Sequence, residues 1–246
     1  MEGIYMKIFL TSNLNNYTKI DGKKVAKQID NVNGLVDKLN EMLDNKKGIT
    51  FIPSDFENIK AIKEYSNILF ESLKLSDIVF DNYYILTGKD DIEERFKNSS
   101  MIFLAGGDTY KQNCVFQNIG LRKYLEDFSG VIMGQSAGSI NLAEYAYNSP
   151  ECKEDLIYSS HFKGLGMTNI NVEPHFVFDN TNFDVDEIFH RNELLKESKL
   201  RNIYAICDTS HIFDDGKKQT LYGEGYLISN GNIIKLCEHV EKYEFS

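Results

Sequence analysis

Apolar residues along the chain fall into short unbroken runs, separated by stretches where they recur at helical spacing. Residues 6–11 (MKIFLT) predict a buried first strand that gives way to a polar loop at 12–16. In 32–43 the apolar positions Val36, Leu39, Met42 and Leu43 line one helix face. Gly48 precedes a second strand, Ile49–Ile52, closed by Pro53. Ser54 or Asp55 then offers a cap for a helix whose face is Ile59, Ile62, Tyr65, Ile68, Leu69 and Leu73. An interrupted strand within 77–86, a short acidic helix at 90–96, an apolar strand at 101–105 and a helix at 110–118 continue the series. A strand at 131–133, another at 167–172, a helix at Val185–Glu197 and a strand at 202–207 follow. Residues 220–229 and Asn232–Cys237, joined by Asn230-Gly231, predict a hairpin with a type I′ turn on one edge of the sheet.

Strand and helix alternate over most of this length, which predicts an α/β fold: a mostly parallel sheet with helices on both faces and a closing antiparallel hairpin. No Gly/Ser-rich linker, charge run or internal repeat divides residues 1–246, so one domain is expected. In such sheets ligands bind beyond the carboxyl ends of the strands. Two glycine-rich turns belong there, Gly106-Gly107-Asp108-Thr109 and Gly134-Gln135-Ser136-Ala137-Gly138.

The second turn is a Gly-x-Ser-x-Gly sequence between an apolar run and a helix of small residues, the context of a nucleophile elbow. Glycines on either side keep Cβ atoms out of the neighbouring strand and helix, while Ser136 Oγ projects over a helix N-terminus. An oxyanion hole needs two free amides, and those of Ala137 and Gly107 are the candidates. His175 follows a strand, with Pro174 fixing the backbone before it, and is placed to accept a proton from Ser136. His190 and His239 fit surface positions better, and His161 and His211 stay open.

Composition narrows the partners. The chain has 246 residues, 42% hydrophobic and 26% charged, with a net charge of −10 and only short, scattered lysine pairs. That balance argues against nucleic acid, whose phosphates require a basic stripe. No apolar run approaches a membrane span, and the start of the sequence does not resemble a secretory signal, so a cytoplasmic protein is expected. The four cysteines, Cys114, Cys152, Cys207 and Cys237, have no metal or disulfide spacing. Neither metal nor cofactor is called for. A monomer or homodimer is expected.

Taken together, the Gly-Gly-Asp-Thr loop, the Gly134–Gly138 elbow and the strand carrying Pro174-His175-Phe176 resemble serine peptidases of the dipeptidase E (aspartyl dipeptidase) and cyanophycinase type. The resemblance implies a three-layer fold of the class I glutamine-amidotransferase kind, and a triad with Ser136 as nucleophile and His175 as base. It also implies hydrolysis of short peptides and an acid about fifteen residues after the serine. That position holds Glu151, with Glu154 and Asp155 as neighbours that could take the role. Asp108 and Arg191 are implied as substrate-binding residues, Arg191 by pairing with an acidic substrate side chain. Two other readings remain: a non-catalytic member binding a peptide or metabolite in the same cleft, and an α/β-hydrolase-type esterase with His239 as base.

Overall fold

The computed structural model describes residues 6–88, 90–178 and 184–245. The chain begins with β1 (Lys7–Thr11), a hairpin of β2 (Tyr17–Ile20) and β3 (Lys23–Ala26), helix α1 (Leu35–Met42), β4 (Ile49–Ile52), α2 (Ile59–Leu75), β5 (Tyr83–Ile85) and α3 (Ile92–Lys97). The middle holds β6 (Met101–Leu104), α4 (Thr109–Asn118), α5 (Leu121–Glu126), β7 (Val131–Gln135), α6 (Ala137–Asn141), β8 (Tyr145–Tyr147), a 3₁₀ turn (Lys153–Ile157) and β9 (His161–Lys163). Last come β10 (Val172–Glu173), α7 (Val185–Glu197), β11 (Ile203–Ile206), β12 (His211–Asp214), β13 (Gln219–Tyr222), β14 (Gly225–Ser229), β15 (Asn232–Cys237) and β16 (Lys242–Glu244).

Eight strands form the central sheet in the order β16-β13-β12-β1-β7-β6-β4-β5. The five from β1 to β5 in that order are parallel, and β12, β13 and β16 extend the sheet antiparallel. A second sheet of four strands runs β10-β11-β14-β15. The predicted hairpin is β14–β15, with positive φ at both Asn230 and Gly231 as a type I′ turn requires. It closes an edge of the second sheet, while β12, β13 and β16 make the antiparallel edge of the first.

Both faces of the central sheet are covered, and its inner strands β1, β4, β6 and β7 carry buried apolar residues at successive positions because successive side chains point to opposite layers. Ile8, Leu10, Ile102, Leu104 and Ile132 face one core together with Phe116 of α4 and Leu121 and Leu125 of α5. Phe9, Phe51, Met101, Phe103, Val131 and Met133 face the other, against Leu35 and Leu39 of α1 and Ile62, Leu69 and Leu73 of α2. Helix α2 is capped by Asn58, whose side chain accepts from the Ala61 amide, rather than by Ser54 or Asp55. No helix among the described residues is long and apolar enough to cross a membrane.

Candidate active site

The strand-to-helix turn after β7 is built as its sequence demands. Ser136 has φ 50 and ψ −112, outside the regions an L-residue normally occupies. Holding it there costs on the order of 1–3 kcal/mol, which the surroundings must supply. They do so by close approach. A Cβ on Gly134 would lie 2.6 Å from the carbonyl carbon of Gly138, and one on Gly138 would overlap the carbonyl of Leu104 in β6. Buried hydroxyls tie the turn to β1: Thr11 Oγ1 donates to Gly134 O at 2.7 Å, Ser139 Oγ accepts from the Thr11 amide at 2.8 Å, and the Ser136 amide donates to Thr11 O at 2.9 Å.

Against this hydroxyl lies His175, just past β10 and itself at φ 58. Its Nε2 is 2.9 Å from Ser136 Oγ, and its Nδ1 is 2.8 Å from Asp208 Oδ1. Ser12, at the end of β1, holds the pair from behind: its Oγ accepts from the His175 amide at 2.7 Å and donates to Asp208 Oδ1 at 2.8 Å. Asn13 Nδ2 donates to the other oxygen of Asp208 at 3.2 Å. Asp208 reaches this place through long-range pairing. Strand β12 runs antiparallel to β1 with His211 opposite Thr11, so the turn before β12 falls at the carboxyl end of β1.

The electrostatics follow from these contacts. Hydrogen bonding to Asp208 raises the pKa of His175, against a smaller opposing effect of burial, and the Asp208 charge adds to the rise. Asp208 is held below the ordinary aspartate value, first by the His175 bond and then, against burial, by Ser12, the His175 charge and Asn13. Both side chains are about half exposed, at 48% and 50%, so the cleft is open to solvent.

Gly106 and Gly107 follow β6 and bring their backbone beside Ser136: a Cβ on Gly106 would lie 3.5 Å from the serine Cβ. Gly107 has φ 141, and a Cβ there would collide with Ser54. A buried amide network joins this loop to α6. Gln112 Nε2 donates to Ala105 O at 2.6 Å, and Asn141 Nδ2 donates to Gln112 Oε1 at 3.0 Å and lies 3.2 Å from Ala137 O. The Ala137 amide, in the first turn of α6, is one of those a helix leaves without an internal partner.

Ser136, His175, Gly106 and Gly107 line one cleft of about 400 Å³, which extends between α2 and the sheet. The other residues expected at the site lie elsewhere. Glu151 does not contact His175 and acts on it only as a more distant negative charge; its amide, with that of Cys152, donates to Asp155 Oδ2. Asp208, in the turn between β11 and β12, lies against His175 Nδ1, where Glu151, Glu154 or Asp155 was expected. The signal that could have found it is the same as for His175, a polar side chain at the end of an apolar strand. Asp108 caps α4 by accepting from the Lys111 amide. Arg191 stacks on the Phe178 ring at 4.9 Å and is not among the cleft residues. His239 sits 3.4 Å from Glu224, just before β14, and is not among the cleft residues. Among the described residues no group of His, Cys, Asp or Glu is arranged to hold a metal ion.

The model of peptidase family S51 matches residues 24–222, a span that holds the elbow, His175 and Asp208. Among solved structures, a peptidase from an acI-B1 Actinobacterium superposes with a TM-score of 0.68 at 15% identity, covering 98% of this chain and 97% of its own. A protein assigned as a peptidase E from Listeria monocytogenes EGD-e gives 0.58 at 18% identity, covering 87% and 96%. At such identities the likeness is one of fold. No curated protein matches the sequence significantly. The family match spans most of the chain, and on that ground the protein belongs to peptidase family S51, the serine peptidases of the dipeptidase E type.

Proposed function

We propose that Ser136, His175 and Asp208 form a catalytic triad that hydrolyses short peptides through an acyl-enzyme, with the Gly107 and Ala137 amides as oxyanion donors. The observation that carries this reading is the hydrogen-bonded series Ser136 Oγ, His175 Nε2, His175 Nδ1, Asp208 Oδ1, at 2.9 and 2.8 Å. As Oγ attacks the carbonyl carbon, its proton passes to Nε2. The C–N bond then breaks and that proton leaves with the amine. A water attacks the acyl-enzyme in turn, its proton taken by the same nitrogen and returned to Ser136. Asp208 holds Nδ1–H toward itself, which selects the tautomer with a free Nε2 and offsets the imidazolium charge.

Short substrates suit a cleft of about 400 Å³, near the lower end of the roughly 300–1,000 Å³ usual for small-molecule sites. Four free cysteines suit the reducing cytoplasm, where we place the protein.

Steady-state kinetics on a dipeptide library test the triad. Ser136→Ala should lower kcat by ~10⁴-fold or more and Asp208→Asn by ~10³–10⁴-fold, whereas Glu151→Gln should stay within about threefold of wild type. Full activity in Asp208→Asn together with its loss in Glu151→Gln would overturn the choice of acid.

A further inference from the structure

The cleft beside Ser136 has an apolar floor and a cation above it. Phe51 of β4 and Phe103 of β6 stack with centroids 5.8 Å apart, and Ile62 and Leu69 of α2 close the opposite wall. An ionised side chain inserted there would lose hydration and gain no partner. Over the cleft, the β2–β3 hairpin carries Lys24 across α2, with Nζ 4.0 Å from the centre of the Tyr65 ring and 4.9 Å from that of Tyr17. The two ring faces hold the ammonium by cation–π attraction. Lys24 lines the cleft and forms no ion pair among the described residues. Asp55, also on the lining, has one oxygen engaged by the Glu57 and Asn58 amides and adds a negative charge that opposes an acidic guest. The cleft therefore offers one cation, for one carboxylate, above a surface made for hydrocarbon.

We propose that this cleft takes the C-terminal residue of a short peptide, with its apolar side chain on the Phe51, Phe103 and Leu69 floor and its free carboxylate on Lys24. The bond cleaved is the one preceding that residue. The amine released when the C–N bond breaks belongs to it, so the apolar amino acid departs first. The N-terminal part remains as the ester on Ser136 until water releases it. This assignment rests on the triad reading above.

The test compares kcat/KM for Ala-Leu, Ala-Phe, Ala-Asp and Ala-Leu-amide in wild type and Lys24→Met, with fluorophosphonate labelling of each protein measured in parallel. Ala-Leu and Ala-Phe should exceed Ala-Asp by at least about tenfold, and blocking the carboxylate as the amide should cost about tenfold or more. Lys24→Met should lose about tenfold on Ala-Leu, mainly through KM, and nothing on the amide, so that the two substrates converge. The amide comparison within wild type stands even if the variant folds poorly. A preference for Ala-Asp, or equal turnover of acid and amide, with labelling intact, overturns this specificity and leaves the triad standing. Loss of both labelling and all turnover in wild type overturns the triad, and the specificity with it.

Discussion

Among the described residues, the serine, histidine and carboxylate at the cleft and those around His190 differ in connectivity. At the cleft, the imidazole of His175 lies between its partners, Nε2 on Ser136 and Nδ1 on Asp208. In the second grouping, beneath α7, Ser149 Oγ donates directly to Glu173 Oε2 at 2.7 Å. One ring nitrogen of His190, Nε2, meets both Ser149 Oγ at 2.9 Å and Glu173 Oε1 at 3.2 Å. The Ser149 proton is thus already committed to a carboxylate, and the imidazole has no path from serine to acid. The settings differ as well: Glu173 is 8% and His190 25% exposed, against about half for His175 and Asp208. The same residue types thus occur in two arrangements, and Ser136 differs from Ser149 by its strained backbone, its open face and an imidazole in series.

The second grouping has a structural role, because Glu173 ends β10 two residues before His175. It satisfies a carboxylate buried at the base of the segment that presents His175. Burial lowers the pKa of His190, but the hydrogen bond and charge of Glu173 and the charge of Glu151 outweigh it, leaving the group raised.

Replacing the two histidines separates the roles most sharply. His175→Ala should cost ~10⁴-fold or more in kcat with stability little changed. His190→Ala should leave kcat within about tenfold and lower stability by about 1–3 kcal/mol, because Glu173 and Ser149 lose a buried partner; kinetics and urea denaturation on the same preparations measure both. Equal losses of kcat would erase the distinction.

A smaller effect concerns pH. His175 must be neutral to accept the serine proton, and its pKa is raised, so the acid limb of kcat/KM should lie above pH ~6.5, the ordinary histidine value. Activity rises as pH rises through that limb. The stability linked to His175 has the opposite sign: it is fully present below pH ~6.5 and lost as pH rises through the raised folded value. The smallest change expected is in Glu151→Gln, where removal of a distant negative charge should move the acid limb slightly toward lower pH. A kcat/KM profile from pH 5 to 9 reads both, and an upward movement in Glu151→Gln would contradict the sign.

The positions of the Gly134–Gly138 turn and of His175 were legible because each is a local feature: an apolar strand followed at once by a turn or a Pro-fixed bend. Asp208 was not, since its approach depends on β12 pairing with β1 across the chain, and a carboxylate in a polar turn looks like many others. The hairpin that brings Lys24 was missed although Asp21-Gly22, both at positive φ, is a strong two-residue turn signal. Its strands are largely exposed and lack clean alternation. Residues 167–172 read as a strand because they are apolar. Met167, Ile170 and Val172 are buried in the core, yet only Val172–Glu173 joins a ladder, so the run reported burial and not pairing. The apolar stretch 220–229 is divided at Gly223, where the chain leaves the central sheet for the second.

The most direct measurement is the position of covalent labelling. After reaction with a fluorophosphonate and proteolysis, mass spectrometry should find the adduct on the peptide containing Ser136, absent from Ser136→Ala and undiminished in Ser149→Ala. An adduct on Ser149, or labelling that survives Ser136→Ala, would contradict the assignment of Ser136 as the nucleophile.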